Sequence, residues 1–303
     1  MVGLRSNAVS IDARTRITLS TLRARKREGR KITMLTCYDF ATARILEEAG
    51  IDSLLVGDTY AEVCLGHPNT LPMTLEHSLT LTEAVRRGAP SAFLVGDMPY
   101  LTYQVCAEDA IRNAGLYMSR AGCDCVKVEV DRRLAHLVEA MASATIPVMA
   151  HLGLKPQSIQ SIGGYKIQGK NAGDALQLIE DAKMMEGAGA IALLLEAVPI
   201  EVAKVIAEST ALPVIGIVCG PHVDGQVVVL HDMLGYGGGH PPRSVKQYAK
   251  LHDTMIAAFR AYAQDVTTGG FPTHEHAVAM DPAEYEKLRK HLDARNAPTQ
   301  GNP

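Results

Sequence analysis

Short hydrophobic runs alternate along the chain with longer segments in which apolar side chains recur three and four positions apart. The short runs are rich in leucine and β-branched residues and predict eight strands, at residues 32–36, 53–56, 92–95, 126–129, 148–152, 191–195, 214–217 and 227–230. The segments between them, such as ATARILEEAG and PIEVAKVIAES, predict amphipathic helices. Several of these helices end in Ala-Gly just before the next strand, which is typical of a glycine C-cap.

Eight strand–helix units in this order predict a (β/α)8 TIM barrel with an N-terminal helical extension. A doubly wound open sheet is the alternative, because periodicity alone does not show closure. We expect residues 1–30 to form the extension, with 19–27 helical and packed across one end of the barrel. Residues 31–276 would form the barrel, and 277–303 a C-terminal helix and a frayed tail.

Composition and charge narrow the range of functions. The 303 residues are 47% hydrophobic, which is enough for a full core, and 30 basic residues against 33 acidic ones leave a net charge of −3. The chain lacks the excess of positive charge that would bind nucleic acid or an anionic membrane. The N-terminus lacks a signal-peptide core, so we expect a cytoplasmic protein. Six cysteines without Cys-x-x-Cys spacing are expected to be reduced, buried thiols.

Four acidic residues stand at the carboxyl ends of predicted strands. They are Asp58, Asp97, Glu129 and Glu196, in SLLVGDT, AFLVGDMP, CVKVE and ALLLEAVP. One such acid often caps the next helix or pairs with an arginine. Four in the same relative position converge on one end of a barrel, where they would hold a divalent metal and accept a proton.

The acids predict enolate chemistry. With Glu196 held back as a base, Asp58, Asp97 and Glu129 form a hard-oxygen ligand set that favours Mg²⁺. A 2-keto acid chelates such a metal through adjacent oxygens, and the metal then stabilises the charge formed when a neighbouring carboxylate removes a proton. Lys127 lies two residues before Glu129, on the same strand face. It either contacts the substrate carboxylate, the interpretation we favour, or forms a buried salt bridge with the acids.

The motifs resemble those of the ketopantoate hydroxymethyltransferase family. The resemblance runs in order from about residue 31 to 276, through segments such as MLTCYDFATARILEEAGID, VGDMPYLTY, VKVE, PVMAHLGLKPQS, GGYKIQGK, LLLEAVP and FPTHEH. It implies a Mg²⁺-dependent barrel related to phosphoenolpyruvate mutase and isocitrate lyase, assembled as a homodecamer. It also implies transfer of a one-carbon unit from 5,10-methylenetetrahydrofolate to 2-oxoisovalerate, which gives ketopantoate for pantothenate synthesis.

The same resemblance implies roles for individual residues. Asp58, Asp97 and Glu129 would surround the metal, and Glu196 would be the general base. The keto acid would contact Asp58, Thr59, Asp97 and Lys127, with Lys127 also counted as catalytic. His151, in AHLGL, is either an active-site contact or a structural histidine.

Two segments depart from the family pattern. VGDTYAEV stands where the family usually reads VGDSLGMV, so Thr59, Tyr60, Ala61 and Glu62 replace Ser, Leu, Gly and Met; in GIVCGP, Val218 replaces a glycine and Cys219 an alanine. We expect Glu62 to point outward as a solvated charge. These departures are compatible with four interpretations. The chain is an ordinary family enzyme whose substitutions are neutral, or a paralogue that hydroxymethylates another 2-keto acid. Otherwise it is a folate-independent aldolase or lyase, or a non-catalytic binding or assembly protein.

Overall fold

The computed structural model describes residues 14–238 and 242–296. Eight parallel strands form a closed barrel in sequence order, and β1 pairs with β8 to complete the ring. The strands are β1 (Ile32–Thr36), β2 (Ser53–Val56), β3 (Phe93–Asp97), β4 (Cys125–Glu129), β5 (Val148–Gly153), β6 (Ala192–Glu196), β7 (Val214–Ile217) and β8 (Gly225–Val228). The predicted TIM barrel is confirmed, and closure excludes the open sheet.

Helices follow most strands and begin and end close to the predicted segments. They are α1 (Leu19–Arg27), α2 (Phe40–Glu48), α3 (Tyr60–Val63), α4 (Leu75–Gly88), α5 (Ala107–Ser119), α6 (Ala135–Ser143), α7 (Ile159–Ile162), α8 (Ala172–Gly187), α9 (Ile200–Ser209), α10 (Leu230–Leu234), α11 (Leu251–Thr268) and α12 (Pro282–Asn296). The Ala-Gly endings of α2 and α8 place Gly50 and Gly189 at φ +78° and +93°, the left-handed conformation that a C-terminal cap requires.

Two strands differ from their predicted bounds because glycine packs where a side chain would not fit. Strand β8 runs over Gly225–Val228 rather than 227–230, and a Cβ on Gly225 would lie 2.6 Å from the Ile32 carbonyl oxygen of β1. Strand β3 continues through Gly96 to Asp97, since a Cβ on Gly96 would lie 2.3 Å from the Tyr117 ring. Hydrophobic patterning therefore misplaces the ends of strands that contain such a glycine.

The buried side chains form two layers. The larger layer fills the space between strands and helices and includes Leu54, Val126 and Leu193. The smaller layer lies inside the barrel, where Phe93, Met149 and other strand residues pack with Ile17 and Leu22 of the N-terminal segment. Leu22 is buried in α1, so this helix covers one end of the barrel as predicted.

Aspartates at the N-terminal end of the barrel accept hydrogen bonds from the backbone. Asp52, Asp124 and Asp224 each stand one residue before an even-numbered strand, β2, β4 or β8. Each accepts a hydrogen bond from a backbone N–H of the preceding strand; the donors are Thr33, Leu94 and Val214, at 3.0, 2.8 and 2.8 Å. The three carboxylates thus satisfy backbone groups where neighbouring strands begin.

The N-terminal segment supplies the cations for these aspartates. The ion pairs join Arg14 and Arg25 to Asp52, Arg16 to Asp124, and Lys26 to Asp224. Asp124 also pairs with Arg86 of α4. We call residues 14–27 with their three aspartates the basal clamp. Sequence reasoning missed it, although an aspartate directly before a strand in GIDSLLV, GCDCVKV and HVDGQVV was a readable signal.

The chain divides into two compact units, of which the first ends at Ala249 and the second begins at Lys250. All eight strands lie in the first unit and within the predicted barrel range of 31–276. The second unit contains α11 and α12, and most of its large apolar side chains are exposed. The C-terminal tail from residue 297 lies outside the described residues. No helix in the described ranges is both long and apolar enough to cross a bilayer.

All six cysteines carry free thiols, as predicted. Four of them are buried, but Cys64 is exposed and Cys106 is half-buried. The expectation of six buried thiols was therefore wrong for these two.

Candidate active site

The four predicted acids lie together at the C-terminal end of the barrel. Asp97, Glu129 and Glu196 are the last residues of β3, β4 and β6, and Asp58 follows β2 by two residues. Three of them line a cavity of about 520 Å³ that also takes in Lys127 and His151; Glu129 lies behind this wall and borders a smaller cavity of about 270 Å³. The barrel register therefore brings the predicted group to one mouth.

A buried ion pair forms the floor of the site. Lys127 Nζ donates to both carboxylate oxygens of Asp97, at 2.6 and 2.7 Å, and both side chains are almost completely buried. The Asp58 backbone N–H donates to Asp97 Oδ2 at 3.1 Å. The salt bridge left open as the less favoured interpretation of Lys127 is thus present. Because Lys127 also lines the cavity, its contact with a substrate carboxylate stays a prediction.

Gln157 links two of the acids and was not identified from the sequence. Its Nε2 donates to Asp58 Oδ2 at 2.9 Å, and its backbone N–H donates to Glu129 Oε2 at 3.0 Å. A buried glutamine in the loop after β5 carries no recognisable sequence pattern. Its position shows that the loop after β5 fixes the orientation of carboxylates that belong to β2 and β4.

His151 stands between two carboxylates. Its Nδ1 lies 3.7 Å from Glu129 Oε1, and its Nε2 lies 3.3 Å from Glu196 Oε2. Burial and the nearby Lys127 charge lower the pKa of His151 well below its ordinary value, so the ring is neutral. Both ring nitrogens and Glu129 Oε1 are buried without a hydrogen-bond partner in the described ranges. Unpartnered buried polar atoms of this kind mark a place for a ligand or water.

The acids share more negative charge than Lys127 balances. Burial raises the pKa of Glu196 to about 7, against the opposing effect of Lys127, and it also raises the pKa values of Asp97 and Glu129. Burial lowers the pKa of Lys127, but Asp97, Asp58 and Glu129 outweigh this, so its pKa is raised and it stays charged. A divalent cation would offset the remaining carboxylate charge.

The carboxylate oxygens suit magnesium, although the acidic side chains do not surround a single point as a complete set of metal ligands. In the described part of the chain, no three His, Cys, Asp or Glu side chains are grouped so that they hold a metal by themselves. Magnesium takes one or two protein carboxylates and completes its octahedron with waters and substrate oxygens. Asp58 and Asp97 are adjacent and face the cavity, so they suit that mode of binding.

Thr59 also faces the cavity. Its hydroxyl lies 2.7 Å from the Tyr38 hydroxyl, which fixes the side chain at the start of α3. Ala61, another departure from the family pattern, is completely buried in α3. Its helical backbone conformation does not require glycine. Its methyl group therefore restricts no loop conformation.

Glu62 and Val218 both line the cavity. The expectation that Glu62 is a solvated outward charge was wrong, because its Oε1 accepts a hydrogen bond from the Tyr165 hydroxyl at 2.9 Å. Val218 has φ +56°, a left-handed conformation that is strained for a β-branched residue. Ala197, directly after Glu196, has φ +50°. Two strained residues thus border the candidate site.

Comparison with known proteins decides the family. Residues 16–274 match the family model described as ketopantoate hydroxymethyltransferase. The chain belongs to this family. A Thermoanaerobacter sp. (strain X514) protein named 3-methyl-2-oxobutanoate hydroxymethyltransferase is 46% identical over 89% of this chain and 98% of its own length. A Clostridioides difficile (strain 630) protein with the same name is 43% identical over 89% and 98%. The chain is an enzyme of the transferase class, and these names support ketopantoate formation.

Solved structures of lower identity share the barrel. A phosphonopyruvate hydrolase, solved in complex with oxalate and Mg²⁺, matches with a TM-score of 0.56 at 15% identity, over 92% of this chain and 99% of that one. A 2,3-dimethylmalate lyase of the PEP mutase/isocitrate lyase superfamily matches with a TM-score of 0.55 at 18% identity, over 91% and 97%. These similarities confirm the predicted barrel fold.

Proposed function

We propose that the chain transfers a one-carbon unit from 5,10-methylenetetrahydrofolate to 2-oxoisovalerate in a Mg²⁺-dependent reaction that gives ketopantoate. The observation that carries the proposal is the group of buried carboxylates around Lys127 at the floor of a 520 Å³ cavity, in a chain of this family. A cavity of this size admits a small keto acid.

Asp58 and Asp97 would hold the metal, with Glu129 behind them. When bound, Mg²⁺ withdraws electron density from the keto oxygen and so stabilises negative charge there. Lys127 favours the ionised form of Asp97, against the effect of burial, and orients it through two hydrogen bonds. The Thr59 hydroxyl, which also lines the cavity, would donate to the substrate carboxylate.

Glu196 acts as the general base in this proposal. It would take the C3 proton of the keto acid, and the resulting enolate carbon would attack the one-carbon unit, delivered as the folate iminium or as formaldehyde released from it. In either route water supplies the hydroxyl oxygen, the carbon–nitrogen bond to the folate breaks, and tetrahydrofolate leaves. A pKa of about 7 suits a carboxylate that accepts and returns a proton near neutral pH. Neutral His151, 3.3 Å from Glu196 Oε2, would orient the base without adding charge.

The test is incubation of the protein with Mg²⁺, 5,10-methylenetetrahydrofolate and 2-oxoisovalerate. We expect ketopantoate, and we expect chelation of the metal to stop its formation. Equal turnover after chelation would remove the metal from the proposal, and equal turnover with formaldehyde but no folate would show that bound folate is not required for the transfer. Exchange of the C3 hydrogen in deuterated water without folate tests the enolate step alone.

One observation favours a second candidate, a paralogue that hydroxymethylates a different 2-keto acid. Glu62 brings a carboxylate to the cavity wall where the family usually has methionine. A panel of 2-keto acids assayed side by side distinguishes the two, because the paralogue would prefer another member of the panel to 2-oxoisovalerate. Homodecamer assembly remains part of the proposal and is measured by sedimentation.

A further inference from the structure

The loop between β5 and α8 covers the cavity and is attached to opposite sides of the barrel mouth. Its residues 159–170 include Tyr165, Lys166 and Ile167, all of which line the cavity with the acids. At one end, the Gln168 backbone N–H donates to the Ala197 carbonyl oxygen at 2.8 Å, directly after the base in β6. At the other, Tyr165 bonds to Glu62 of α3, which follows β2.

Strands β2 and β6 are four positions apart in a ring of eight, so they face each other across the barrel. A connection from Ala197 through the loop to Glu62 therefore crosses the mouth. Beyond local contacts with the residues just before the loop, such as the Ser161 hydroxyl to the Ser158 carbonyl oxygen at 2.8 Å, these two hydrogen bonds join residues 159–170 to distant parts of the described chain. The loop forms the roof of the cavity above the keto-acid site.

Little else holds this roof in place. Residues 159–170 contain no buried side chain, and the Tyr165 side chain is exposed apart from its hydroxyl contact. Gly163, Gly164 and Gly169 have φ values of +73°, +114° and +76°, which other residues rarely adopt. A segment with few apolar contacts and glycine at both ends of its tip opens at low free-energy cost, so one hydrogen bond has a measurable effect on its closure.

We propose that the Glu62–Tyr165 hydrogen bond is a strap that keeps the loop closed over the keto acid while the enolate exists, which makes both side chains positioning residues. The inference rests on the proposed function. The enolate carbon has two fates: it forms a bond to the one-carbon unit, or it takes a proton from water and regenerates the keto acid. A closed roof excludes water and favours carbon–carbon bond formation. Methionine, the usual family residue at position 62, lacks a carboxylate to accept this bond.

The test measures, in deuterated water, the ratio of C3 exchange to product formation. Glu62→Met and Tyr165→Phe should each raise the ratio about tenfold, the effect of losing a hydrogen bond of about 1.4 kcal/mol. The double variant should raise it no further, since both substitutions remove the same bond. Glu62→Gln, which keeps an acceptor oxygen, should stay near the wild-type ratio, as should the control Tyr100→Phe in the loop after β3.

Trypsin cleavage after Lys166 and Lys170 gives a second readout that needs no substrate. Cleavage should be faster in Glu62→Met and Tyr165→Phe than in the wild type or Tyr100→Phe. Unchanged cleavage and an unchanged ratio would overturn the strap, and so would additive effects in the double variant. If the wild type makes no product at all, the proposed function fails, while the cleavage rates still decide whether the strap exists.

Discussion

The two ends of the barrel use acidic residues in opposite ways. At the N-terminal end, each aspartate of the basal clamp accepts a backbone N–H and pairs with at least one arginine or lysine. At the mouth, Asp97 has such partners in the Asp58 N–H and Lys127, but this one lysine is shared with Asp58, Glu129 and Glu196, and burial raises the pKa of Asp97, Glu129 and Glu196. Acids that each pair with their own cation therefore stabilise the fold, whereas acids that share one lysine have raised pKa values and are suited to chemistry.

Glu196→Gln should have the largest effect on the mouth. The amide keeps the shape of the side chain but cannot take the C3 proton, so deuterium exchange of the keto acid should fall by about a thousandfold. Binding of the keto acid in the presence of metal should persist. Glu201→Gln, an exposed substitution on α9, is the matched control and should leave exchange unchanged. Exchange at the wild-type rate in Glu196→Gln would remove it from the base role.

Asp52→Asn should have the largest effect on the basal clamp. It leaves Arg14 and Arg25 without their carboxylate and weakens the hydrogen bond from Thr33, so unfolding free energy should drop by about 3 kcal/mol. Asp109→Asn, which breaks the exposed pair with Arg112, should change it by less than about 0.5 kcal/mol. Urea denaturation measures both. Equal effects would show that pairing at the basal clamp contributes no more than a surface ion pair.

The same Glu196→Gln variant should change stability in the opposite direction from Asp52→Asn. Burial raises the Glu196 pKa from 4.5 to about 7, so the folded chain binds this proton more tightly than the unfolded chain. The stabilisation is complete below pH 4.5 and is lost as the pH rises through 7. In chelator at pH 8, Glu196→Gln should be more stable than wild type by roughly 3 kcal/mol. The difference should disappear near pH 4.5, and a constant difference would contradict the pKa shift.

Val218→Gly should have the smallest effect. Glycine relieves the left-handed conformation of Val218 but increases the freedom of the unfolded chain, so the net gain in stability should be below about 1 kcal/mol. Val105→Gly, at an exposed valine outside the left-handed region, should instead lose stability. Thermal unfolding compares the two, and a loss in both would mean that Val218 is not strained.

The strands, the barrel and the gathering of the acids at one mouth could be predicted because each follows from local periodicity and from the parallel arrangement of strands. Three strands, β1, β2 and β7, have their predicted bounds. Strand β8 was displaced because the fit of Gly225 against β1 depends on a neighbour nearly 200 residues away in the sequence.

The orientation of Glu62 and the role of Gln157 could not be predicted for a related reason. Glu62 is held by Tyr165, 103 residues later in the chain, and Gln157 reaches Asp58, 99 residues earlier. Such contacts depend on how loops from different strands meet above the barrel, which no local pattern records. The contact of Lys127 with substrate and the metal ligands likewise stay predictions.

The basal clamp also constrains the order in which the chain can fold. Lys26 meets Asp224 across 198 residues, so this part of the clamp cannot form until nearly the whole barrel has been synthesised. Contacts of such long sequence separation slow folding and leave unpaired strand edges exposed in the meantime. During translation, Lys26 must therefore wait for the start of the eighth strand before its charge is neutralised, whereas Arg14 and Arg25 meet Asp52 much earlier.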